Sequence, residues 1–382
     1  MTIQNYCDSL KIIMNVYVDK RTELLNAIYL NSNFHKDELL GSLDSEYTEK
    51  LNNFIKDNDS KDLIDKFNEV VGYLGDKFSY DAPILLFLQM NENYELNSNA
   101  KKEYPYKDRL CFDAKSKILI DELMKEVNIF ANKSNFDKFY KDSQSYYDKQ
   151  IDKINCCLKK YEEKLKKYIN WFFIKDVNVN DFNINIIMSM ASGGCGAEVN
   201  GKKIISETGN VVKNEKGERV AKILPVGEYG FMAHIFHEIS HIYVNPITDK
   251  LNIKKIKLLG FDKTLTDSEH EGNEKVYINE SIIRAIEYLF EKELIIDEES
   301  RKEHISEEQF ISKYYELIDK KNNQYYSLQA KRGFGEIERI EQAIVACQGK
   351  NYATFEDKYA DILSNSLLED MTHHQEAESS HS

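Results

Sequence analysis

Apolar and polar positions along the chain fall into two regimes. Residues 12–18 alternate well enough for a short strand. Asp19-Lys20-Arg21-Thr22-Glu23 then opens a helix with Leu24, Leu25 and Ile28 on its buried side. Helical spacing predicts four further helices near 44–57, 60–74, 81–90 and 115–131. In the second of these Leu63, Phe67, Val70, Val71 and Leu74 form the stripe, and Gly75 stands at the C′ position. Asp81 before Ala82-Pro83 reads as an N-cap followed by an early helical proline. Residues 136–172 read as one long charged helix ending at Trp171-Phe172-Phe173.

At Asp176 the period changes. Phe182-Asn183-Ile184-Asn185-Ile186 alternates with period two and runs on to Met190, a strand. Gly193, Gly194 and Gly196, then Asn200-Gly201, predict hairpin turns, with a strand at Lys203-Ile204-Ile205 and a second polar turn from Asn214 to Gly217. Helical spacing returns from Gly230, and Pro246 is expected to end that helix. The pattern gives an α+β chain, predominantly helical. Residues 1–175 form a mainly helical scaffold, 176–350 a core that carries the chemistry, 351–371 a C-terminal helix and 372–382 a polar, flexible tail.

Composition adds mostly exclusions. The chain has 382 residues, a length that asks for about two domains. Lys+Arg number 51 against 65 Asp+Glu, a net charge of −14 that would repel a polyanion, so nucleic acid is not the expected partner. No stretch approaches about 18 uninterrupted apolar residues, and Lys11 to Val18 is too short and interrupted for a signal or a span. The expected location is cytoplasmic as the chain stands, or outside the cell if a leader was removed. The six cysteines lack C-x-x-C spacing and read as free thiols.

His237-Glu238-Ile239-Ser240-His241 is the candidate chemistry. With 9 histidines in the chain, an H-E-x-x-H match arises by chance only about 0.02 times. Phe231, Ile235, Phe236, Ile239, Ile242 and Val244 give this helix an apolar stripe. His237 and His241 stand one turn apart on one face, where both imidazoles reach one ion. Zn²⁺ suits two neutral imidazoles and a carboxylate, and Glu238 is placed to act as a base. The third ligand is open among Glu269, His270, Glu271, Glu274 and Glu280. Glu280 is favoured because Val276, Glu280, Ile283 and Glu287 share one stripe of an amphipathic helix, whereas the others lie in a polar loop from Asp267 to Lys275; Glu271 and His270 are the fallbacks. An oxyanion donor is open among His234, Tyr243, Tyr277, Tyr325, Tyr326 and Arg332. Arg284 would pair with Glu280 at i+4 or meet a substrate carboxylate, the pairing being favoured.

Phe236 to Pro246 (F-H-E-I-S-H-I-Y-V-N-P) and Asn279 to Ala285 (N-E-S-I-I-R-A) resemble the gluzincin zinc metallopeptidases, in which H-E-x-x-H is followed later by Asn-Glu on a helix. Thirty-eight residues separate His241 from Glu280, similar to the longer-spaced members. The closest resemblance is to an uncharacterised bacterial family of predicted peptidases, which Asp19 to Leu25 and Arg332-Gly333-Phe334 also fit. It is specific over roughly residues 229–290 and implies a zincin-like catalytic core, a small mixed sheet packed on the H-E-x-x-H helix. It further implies hydrolysis of peptide or protein substrates by metal-activated water, with Zn²⁺ on His237, His241 and Glu280 and Glu238 as general base; of the open candidates, Tyr243 and Arg284 are taken as the further catalytic residues. Many members carry an acid four residues after the ligand glutamate that orients a ligand histidine. Arg284 stands there instead, so that histidine needs another partner. Gly196 to Asn200 lies in the expected edge-strand region, where zincins bind an extended peptide. Endopeptidase action is the expectation. The alternative is a zinc-stabilised interaction module that keeps the fold and cleaves nothing.

Overall fold

The computed structural model describes residues 13–34, 45–78, 81–96, 110, 112–173, 183–189, 195–199, 202–208, 210–213, 219–222, 227–252, 256–264 and 272–368. The chain is predominantly helical. Its described residues divide into two compact units, one drawn from Asp8–Glu162 and Val179–Phe231, the other from Glu163–Asn178 and Met232–Ser382. The loop around His270 and Glu271, and the tail from 372, lie outside the described residues.

The first unit begins with β1 (Ile13–Tyr17) and α1 (Lys20–Asn31). Asp19 caps α1 by accepting from the Arg21 N–H at 2.9 Å. Helices α2 (Ser45–Asp57), α3 (Lys61–Leu74), α4 (Asp81–Leu88), α5 (Ala114–Lys133), α6 (Phe136–Asp142) and α7 (Gln144–Phe173) follow. Leu63, Phe67, Val70 and Leu74 are buried along α3 as their spacing predicts, and Gly75 leaves the helix at φ +53°. Arg21 joins α1 to α4: its Nη1 donates to the carbonyls of Leu88 at 3.1 Å and Met90 at 2.6 Å, satisfying acceptors that the end of α4 leaves open.

The expected single helix over 136–172 is two. It breaks at Ser143, whose buried hydroxyl donates back to the Phe139 carbonyl at 2.9 Å and receives Lys50 Nζ at 2.9 Å. Such a hydroxyl offers the backbone an alternative to the next helical turn, which apolar periodicity does not register.

Strands β2 (Asn183–Ser189), β3 (Cys195–Val199) and β4 (Lys202–Thr208) form a sheet with β1 in the order β1-β2-β4-β3. β1 and β4 flank β2 in parallel, Val16 opposite Ile186 and Ile186 opposite Ile205, while β3 pairs antiparallel with β4 at the sheet edge. The chain's first strand thus joins strands that follow α7. β5 (Asn210–Lys213) and β6 (Arg219–Lys222) pair antiparallel in a separate two-stranded sheet, and the expected 214–217 turn lies outside the described residues.

Within this unit Glu23 is fully enclosed. It accepts from Asn26 Nδ2 at 2.9 Å and from the Tyr47 hydroxyl, which also bonds the Tyr147 hydroxyl at 2.7 Å. Burial pushes its carboxyl up to about 7, against the lowering effect of the two hydrogen bonds. Between an unfolded value near 4.5 and this folded value, the native chain holds a proton that the unfolded chain has released. The stability Glu23 contributes is therefore complete below about pH 4.5 and is lost as pH rises through 7. Glu23→Gln should gain about 3 kcal/mol on the parent between pH 4.5 and 7.5, read from urea unfolding across that range. Parallel stability curves would refute the assignment.

The second unit holds the end of α7 from Glu163, α8 (Gly227–Lys250) from Met232, α9 (Glu274–Lys302), α10 (Glu307–Lys313), α11 (Tyr315–Lys331), α12 (Ile337–Ala346) and α13 (Phe355–Ser366). Its core is aromatic. Phe290 meets Tyr168 and Phe236 with ring centroids 4.9 Å apart in each case, and Phe173 meets Phe355 at 5.1 Å. Pro246 does not end α8, which runs four residues beyond it. The missing N–H costs the Ile242 carbonyl its helical donor, but the following turn is held by burial of Ile247 and Thr248 and by a hydrogen bond between the Thr248 and Tyr359 hydroxyls. Among the described residues no helix is long and apolar enough to cross a membrane.

Candidate metal centre

α8 buries Ile235, Phe236 and Ile239 in the aromatic core, which turns His237 and His241 toward α9. On α9, capped by Asn273, the buried residues Ile278, Ile282, Ile283, Ile286 and Phe290 fix the rotation that brings Glu280 to the same place. The two imidazole Nε2 atoms lie 3.1 Å apart, and Glu280 Oε1 is 3.2 Å from His241 Nε2. Glu280 Oε2 is 3.8 Å from His237 Nε2. Among the described residues, His237, His241 and Glu280 form the one group whose donor atoms could all hold a single metal ion.

The donor set fits zinc. A tetrahedral ion with ligands at about 2.0–2.1 Å has neighbouring donors roughly 3.3 Å apart, close to the spacings to His241. Both histidines also offer the correct nitrogen. His237 Nδ1–H donates to Glu287 Oε2 at 2.8 Å, and His241 Nδ1–H donates to Asn245 Oδ1 at 3.2 Å, so each Nε2 lone pair faces the shared point.

Charges follow the same geometry. Burial alone would depress both imidazoles; Glu287 and then Glu280 outweigh it at His237, and Glu280 raises His241 to about 9. Burial would raise the Glu280 carboxyl, but His241, His237 and Arg284 hold it well below the usual carboxylate range. Glu287 is likewise lowered against its burial, chiefly by His237. His234 shifts the other way, downward, through burial. A divalent cation substitutes for the protons these imidazoles would otherwise take up.

Glu238 is not in the ligand group, but its charge acts on His241. It is 4 % exposed, its Oε1 lies 3.8 Å from His234 Nε2, and its Oε2 is buried with no hydrogen-bond partner among the described residues. An orphaned, buried carboxylate oxygen costs stability, and sites of that kind are found where a group awaits a reactant.

The remaining candidates are dispersed. Arg284 is with Glu280, its Nε and Nη2 both 3.0 Å from Oε2. Tyr243 lies about 200° round α8 from His241, with its ring 4.8 Å from Phe173. Tyr277 is fully buried and donates to the Leu259 carbonyl at 2.8 Å. Tyr325 donates to the Arg284 carbonyl at 3.0 Å and Tyr326 to Glu341 at 2.7 Å, while Arg332 is exposed. Glu287, the partner His237 needed, was not singled out from sequence. Its signal was the stripe itself, since seven residues return to the same helix face. Asn245 had a similar signal, four residues past His241.

No protein-family model, curated protein or solved structure matches this chain.

Proposed function

We propose that the chain is a zinc-dependent peptidase of gluzincin type, hydrolysing peptide bonds as an endopeptidase. One observation carries the reading: two imidazole Nε2 atoms and a carboxylate converge on one point, and the glutamate next to the first histidine keeps a buried oxygen that has no partner among the described residues. A zincin-like catalytic core belongs to the same proposal.

His237, His241 and Glu280 hold the ion, which when bound polarises a carbonyl and makes water more acidic. Glu287 and Asn245 keep the two rings in the ligating tautomer. Glu238 accepts the proton of the attacking water and delivers it to the departing amine nitrogen, so that the C–O bond formed and the C–N bond broken leave neutral products. Enclosure of Glu238 keeps bulk water from competing for that proton.

The test is metal analysis of the purified chain together with cleavage of a mixed peptide library. About one zinc per chain is expected. Cleavage should cease on treatment with a chelator and return on adding zinc. Stoichiometric zinc with no cleavage of any peptide would leave a metal-stabilised interaction module instead.

A further inference from the structure

Arg284 is the cation nearest the proposed ligands, and a positive charge beside a metal site needs a reason. Its guanidinium is held from two sides. Nε donates to one oxygen of Glu280, Oε2, at 3.0 Å, with Nη2 in ion-pair contact with the same oxygen at 3.0 Å, and Nη1 donates to Gln329 Oε1 at 3.2 Å. The Phe334 ring covers its face at 4.7 Å. Gln329 is the one buried side chain of α11, a helix otherwise turned to solvent or half-buried, and Tyr325 of that helix holds the Arg284 backbone carbonyl.

The Nε hydrogen bond and the adjacent Nη2 charge hold Oε2 on the guanidinium. Oε1, 3.2 Å from His241 Nε2, is left to the ion. We infer that Arg284 is a positioning residue that makes Glu280 a one-oxygen ligand, with Gln329 and Phe334 holding the guanidinium in place. A carboxylate free of Arg284 would close on the ion with both oxygens and take up a coordination position that hydrolysis needs open.

This inference rests on the metal reading above, and one titration separates the two. Cobalt(II) is added to the full-length protein and to Arg284→Met, Arg284→Lys and Gln329→Leu, and visible absorption is recorded beside peptide cleavage. The parent should give the intense band of a four-coordinate ion. Arg284→Met should still bind cobalt, with the band roughly halved or weaker as coordination expands, and cleavage should fall about 10- to 100-fold. Arg284→Lys, which keeps one donor at i+4, should restore part of the band. Gln329→Leu should shift it in the same sense as Arg284→Met, by less. A parent that binds no cobalt would sink the metal reading itself. A parent that binds, with Arg284→Met and Gln329→Leu spectra identical to it, would sink the one-oxygen role and leave the metal site standing.

Discussion

Glu238→Gln should abolish cleavage while making the protein more stable. Glutamine keeps the size and shape of the side chain and leaves His237, His241 and Glu280 untouched, so zinc content should not change. It cannot accept the water's proton, and loss of a general base costs about 10²- to 10⁴-fold in rate. Stability moves the opposite way. Glu238 keeps one oxygen buried without a partner among the described residues, and an amide is cheaper to enclose than a carboxylate, a difference of about 1–3 kcal/mol. A variant that is inactive, zinc-replete and harder to unfold would place Glu238 in the chemistry and not in the architecture. Parental cleavage rates in the variant would remove it from the mechanism. Lower stability would mean that Oε2 has an enclosed partner after all.

Much of this site could be read from the sequence because it depends on local spacing. His237 and His241 needed only the helical period, and Glu280 followed from its stripe with Val276, Ile283 and Glu287. The same stripe held the answer to the histidine's missing partner. An acid at i+4 is absent, yet Glu287 at i+7 lies on the same face and reaches His237 Nδ1. What could not be read was what arrives from a distance. Gln329 and Phe334 meet Arg284 from 45 and 50 residues downstream, and no period links them to it. The parallel pairing of β1 with β2 is of the same kind: both strands were legible by alternation, but partner choice across more than 160 residues was not. The break at Ser143 and the passage of α8 through Pro246 were missed for a third reason. Each is decided by a side-chain hydrogen bond or by burial of the next turn, and local propensity yields to both.

Glu280→Gln should have the largest effect on metal. Replacing an orienting partner of a ligand costs about 10- to 100-fold in affinity, and removing the only charged ligand should exceed that, more than about 100-fold by competition with a chelator. The metal-free protein should suffer as well. Glu280 is then an anion facing His237, His241 and Arg284, and a neutral amide leaves the half-buried guanidinium a weaker acceptor at about 1–3 kcal/mol. Thermal unfolding with and without zinc resolves the two contributions. With zinc at about 100 times its dissociation constant, the parent should gain about 2.7 kcal/mol and the variant close to nothing. Glu238→Gln, by contrast, should keep the parent's full zinc-dependent gain, since it touches the base and not the ligands. Should Glu280→Gln retain that gain, the third ligand would have to be His270 or Glu271, and the convergence of Glu280 on the two imidazoles would be an ion pair alone.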